Sequence, residues 1–167
     1  ADNEEGIQTI NEAGLIVSPE TFLQFCNFAQ SPVSPEKLRT SIYGMIEAAK
    51  KTNPSAFQTD PNSRNDVCLI AHMVFSQTNN ISFAKQNIIT IEPLKEYKNF
   101  ITLDLSYNLI EDLSPLADFQ NLIDLNLHQN KIRDIYAITS LQSLEKLRLS
   151  NNLIRDISEL KTLPRLN

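Results

Sequence analysis

Three stretches of this chain repeat one pattern: Phe100-Ile-Thr-Leu-Asp-Leu-Ser-Tyr-Asn-Leu-Ile110, Leu122-Ile-Asp-Leu-Asn-Leu-His-Gln-Asn-Lys-Ile132 and Leu144-Glu-Lys-Leu-Arg-Leu-Ser-Asn-Asn-Leu-Ile154. Each starts 22 residues after the last and runs on through an acidic or Arg-Asp pair to further Leu or Ile positions. Self-similarity at a period of this length marks a solenoid, in which one short unit is stacked many times. A solenoid presents an extended surface, and surfaces of that kind bind partners.

Within each unit the alternation of Leu103 with Leu105, Leu125 with Leu127 and Leu147 with Leu149 has the period of a β-strand. The return segment, such as residues 110–119, spaces its apolar side chains by three, as a tight helical turn does. One strand and one return make a coil. Stacked coils give a parallel sheet along one side and a continuous aliphatic core. Asn108, Asn130 and Asn152 recur where the strand bends away. An amide side chain carries two donors and an acceptor, so a ladder of them can satisfy the backbone groups that the bend leaves open. Their predicted role is structural.

Working outward, a step back of 22 residues gives a degenerate unit from Thr78, with Gln86 in the asparagine place. A step forward reaches Leu166, the start of a unit the sequence does not finish. The expected division is therefore residues 1–77, helical, and residues 78–167, repeats starting at 78, 100, 122, 144 and 166. In the first part, Ser18-Pro19-Glu20 and Ser34-Pro35-Glu36 read as helix starts, with serine as N-cap and proline in the first turn. Leu38, Ile42, Met45, Ile46 and Ala49 keep the spacing of one helix face, and Lys50-Lys51 suits its C-terminal end. Residues 52–65 read as a loop, and a third helix is predicted from about Asp66 to Ser76. A further short element is expected within residues 1–17.

These residues resemble the leucine-rich repeat family, over about residues 78–166. The stretch from Ile110 to Leu122 is most similar to the 22-residue repeats of bacterial internalins and related envelope proteins. The resemblance implies an α/β solenoid with its parallel sheet on the concave side, preceded by an all-α N-terminal cap. It also implies that partners dock on the sheet. The residues predicted there include Asp104, Tyr107, Asp124, Asn126, His128, Lys146 and Arg148, a polar face that turns from acidic near the cap to basic further on. Tyr107 and His128, adjacent on a diagonal, are the anchor candidates. A solvated sheet face without a partner is the bland alternative for any one of them.

Composition narrows the function classes. The apolar fraction of 41% supports a core, and a net charge of −5 with scattered signs is not the footprint of a nucleic-acid binder. The longest apolar run, Val67 to Phe75, is broken by His72 and falls short of a membrane span. Glycine is confined to Gly6, Gly14 and Gly44, so no phosphate-cradling loop exists. His72 reads as a boundary histidine, and His128 has no second ligand near in sequence. Asp60, Asn62 and Asp66 faintly resemble a calcium loop, but Arg64 takes a ligand place. The Asn80-Ile81-Ser82 triplet is a chance glycosylation match on a strand. No metal, cofactor or catalytic constellation is expected, and an enzyme is the weakest class.

Cys26 and Cys68 are either buried thiols or one disulfide. The even count and the opening Ala1-Asp2-Asn3-Glu4-Glu5, similar to a mature end left by signal-peptide removal, favour the disulfide and an oxidising compartment. A fragment boundary accounts for that opening equally well. The leading expectation is a non-enzymatic, secreted or periplasmic module that binds a protein. The alternatives are a cytoplasmic scaffold holding an enzyme such as a phosphatase, and a homodimer formed through Leu149, Ile154, Ile157, Leu160, Leu163 and Leu166 of the last repeat.

Overall fold

The computed structural model describes residues 9–10, 16–17, 19–58 and 66–167. Ser18 and residues 59–65, with Asp60 and Asn62, lie outside these residues. Within 1–17, β1 (Thr9–Ile10) pairs antiparallel with β2 (Ile16–Val17).

Three helices follow: α1 (Phe22–Ala29), α2 (Glu36–Thr52) and α3 (Asp66–Gln77). Both predicted helix starts are corrected by side-chain hydrogen bonding. For α1 the N-cap is Thr21, because a Thr-x-x-Gln box forms there. Gln24 N–H donates to Thr21 Oγ1 at 3.3 Å, and Gln24 Oε1 accepts from Thr21 N–H at 3.2 Å. At α2 the N-cap position is Pro35, and Ser34 does not cap it. The Ser34 hydroxyl turns back to the carbonyls of Ala29 and Ser31, at 3.1 and 2.8 Å, and closes the end of α1. Glu36 and the pair Lys50, Lys51 stand at the ends of α2 where its dipole favours them.

The helices bury Phe22, Phe25, Leu38, Ile42, Met45, Ala49, Ala71 and Phe75 against one another. Cys26 of α1 and Cys68 of α3 form a disulfide inside this cluster.

From Asn80 the chain coils. Strands β3 (Asn80–Ser82), β4 (Thr102–Asp104), β5 (Asp124–Asn126) and β6 (Lys146–Arg148) form one parallel sheet in sequence order. Its register is Asn80↔Thr102↔Asp124↔Lys146, so the sequence period is the structural one. The returns are 3-10 turns at Glu92–Leu94, Ser114–Leu116, Tyr136–Ser140 and Ser158–Thr162. Asp112, Asp134 and Asp156 each accept the backbone N–H two residues on, at 2.7–2.8 Å, and so start three of these turns. That bond, from Ser158, holds the Asp156 carboxyl below the usual carboxylate range.

The asparagine places explain the stacking. Asn130 Nδ2 donates to Leu127 O of its own coil and to Leu105 O of the preceding one, while its Oδ1 accepts from Ile110 N–H. Asn152 repeats the arrangement with Leu149, Leu127 and Ile132. Asn108 holds Phe83 O and Leu105 O, and its Oδ1 takes the N–H groups of Gln86 and Ile88. Gln86 therefore enters the ladder through its backbone.

An aromatic line joins cap to coils: Phe75, Phe83, Phe100 and Phe119 follow each other at ring separations of 5.3, 6.3 and 6.3 Å. Two devices seat α2 on the first coil. The buried Ser41 hydroxyl accepts the N–H groups of Ile89 and Thr90 at 2.9 and 3.0 Å. Gly44 lies so close that a Cβ there would be 2.2 Å from the Gln86 carbonyl oxygen. A third joint is His72, whose Nδ1 is 2.8 Å from Tyr97 Oη and 3.1 Å from Glu96 Oε1. Burial, then the Glu96 charge, pushes the Tyr97 phenol far above its ordinary range. Leu125, Leu127, Ile132 and Ile138 of the third coil are fully buried, whereas Leu147, Leu149, Ile154 and Leu160 of the fourth are only partly covered.

Candidate partner-binding face

The central residue of each strand, Ile81, Leu103, Leu125 or Leu147, points into the core, so the residues on either side of it face outward. This puts Asn80, Thr102, Asp124 and Lys146 in one column and Ser82, Asp104, Asn126 and Arg148 in the next. All of them except Lys146 line a shallow groove of about 330 Å³. Five of the predicted residues are thereby brought onto the strands; Tyr107 and His128 sit just beyond, where the strands bend.

The second column has a structural duty that sequence reading missed. Asp104 Oδ1 accepts Ser106 N–H at 2.9 Å, and Asn126 Oδ1 accepts His128 N–H at 3.1 Å. Short acceptors two residues before a bend are the available signal. Arg148 reaches back one strand and pairs with Asp124 at 3.0 Å. The remaining charges are further apart. Among the described residues neither Asp104 nor Lys146 has an ion-pair partner.

Beyond the strands, Lys85, Tyr107, Gln129 and Asn151 all take left-handed backbone angles, with φ of 55–59°. Such φ is costly for side chains other than glycine and asparagine, and here it is imposed in every coil by the same bend. It turns Tyr107 outward, 44% exposed. Its ring meets His128 edge-on, with centroids 5.0 Å apart, and Lys85 Nζ lies 5.0 Å from its centroid. His128 Nδ1 is 2.7 Å from Ser150 Oγ. Lys85, Tyr107, His128 and Ser150 thus form a ridge across all four coils. Ser106, between Asp104 and Tyr107 in sequence, is buried beneath it, 4% exposed.

Residues 120–162 match the model of the leucine-rich repeat family in two copies. An internalin (inlF) from Listeria monocytogenes superposes with a TM-score of 0.60 at 24% identity, over 74% of this chain and 34% of that one. Internalin C2 from the same organism shares 38% identity over 48% of this chain and 35% of its own, with a TM-score of 0.47. This chain therefore spans about a third of the length of either. No curated protein matches it significantly. The fold is a leucine-rich repeat solenoid closed at its start by a disulfide-bonded helical cap.

Proposed function

We propose that the chain is a non-enzymatic binding module that holds a protein partner on its concave sheet. The observation that carries this reading is the outward-facing polar sheet, bordered by the Lys85–Tyr107–His128–Ser150 ridge and fixed in place by the asparagine ladder. A face so tied down loses little conformational freedom on binding. Tyrosine and arginine, the residue types enriched at energetic centres of interfaces, stand at Tyr107 and Arg148. The Cys26–Cys68 bond supports a secreted or envelope setting, since such bonds persist in oxidising compartments. No helix among the described residues is long and apolar enough to cross a membrane.

The test is capture from a native extract with three forms of the full chain. The unaltered chain and one changed on the convex side, Arg133→Glu with Tyr136→Ala, retain the same partner. A chain changed on the sheet, Tyr107→Ala with Arg148→Glu, loses it. Retention by the sheet variant, with its fold intact by circular dichroism, contradicts the proposal.

A further inference from the structure

The unpaired charges of the sheet say what kind of partner segment it fits. Asp104 on β4 and Lys146 on β6 are the two strand charges left over once Arg148 and Asp124 have paired. Two strand spacings and a two-residue offset along the strands separate them, about 12 Å. Asp104 keeps one carboxylate oxygen bound to the Ser106 amide. Thr102 spends its hydroxyl on Asn80 at 2.8 Å. The groove floor is thus internally satisfied, and the sheet keeps one free acid, Asp104 in the groove lining, and one free base, Lys146 on β6 beside it.

We propose that the occupant is a segment of a protein partner crossing the strands, with a Lys or Arg over Asp104 and an Asp or Glu over Lys146. This rests on the concave-face reading above and adds the partner's chemistry to it. The charges it needs are about 12 Å apart: four residues along an extended chain, which keeps both side chains on one face, or about two turns of a helix. Between them the occupant must leave the Arg148–Asp124 pair covered and intact, which favours small polar side chains there. Charge matching of this type fixes register and rejects wrong partners more than it adds raw affinity.

The test is a display selection of random short peptides on the full chain, counter-selected on Thr102→Trp, whose indole fills the groove. Binders lost on Thr102→Trp are expected to carry one basic and one acidic residue at the stated separation. Asp104→Asn, which keeps an oxygen for the Ser106 amide, and Lys146→Gln should each weaken them about tenfold. Groove-dependent binders lacking the charge pair, or indifferent to both substitutions, overturn this inference alone. If no binder depends on the groove, the concave-face reading fails with it.

Discussion

At the scale of single residues, the coil is held by groups that hydrogen-bond in two directions. Asn130 satisfies three backbone groups on two coils, and none of them can reach water from its buried site. Asn130→Ala should cost about 3 kcal/mol in urea unfolding, the upper range for stranding buried polar groups; a change under about 1 kcal/mol would contradict the ladder. Gln129 tests the opposite effect. It is exposed and held at φ 55° with no demonstrated structural contact from its side chain. Gln129→Asn should therefore raise stability by about 0.5–1 kcal/mol, because asparagine enters the left-handed region more readily. A loss of stability in the same assay would mean that the glutamine side chain is used. The ladder was legible in the sequence because it recurs at a fixed offset. The left-handed angle was not, because Lys85, Tyr107 and Gln129 give no compositional hint of it.

At the scale of elements, the joint between helices and coils is the least predictable part and the most exposed to mutation. Period and hydrophobic spacing locate α2 and the strands. Helix starts were misread because Ser-Pro-Glu is only a local signal, and both serines have competitors. Thr21 with Gln24 offers a two-way cap, and Ser34 finds carbonyls at the end of α1. The docking of α2 depends on Ser41 and Gly44, which lie on a face with no repeat to announce it. Gly44→Ala would drive a Cβ into the Gln86 carbonyl. It should destabilise the junction by about 2 kcal/mol, beyond any helix-propensity gain. Calorimetry showing an unchanged or raised midpoint would contradict the close approach. The disulfide acts on the same element. It closes a loop of 42 residues in sequence, and the chain-entropy model gives it about 4 kcal/mol. Cys26→Ala with Cys68→Ala should lower the unfolding free energy by up to about that amount, and a change near zero would show that the helices need no staple.

At the scale of the molecule, fold and function were unequally legible. The repeat announced the solenoid and its sheet, and the sheet placed Asp104, Asp124, Asn126, Lys146 and Arg148 in two columns. What the columns contact depends on side-chain pairing across 20 to 25 residues, such as Arg148 with Asp124 or Tyr107 with His128. Register gives their nearness; rotamers decide which of them is spent on a neighbour and which is left for a partner. The central claim is that the concave face, and not the convex one, meets that partner. Photo-crosslinking tests it most directly, with a benzophenone side chain in place of Tyr107 on the ridge beside the groove or of Tyr136 on the exposed return turn. The account predicts one dominant adduct from position 107 and none from position 136. The same adduct from position 136 with none from 107 would contradict it.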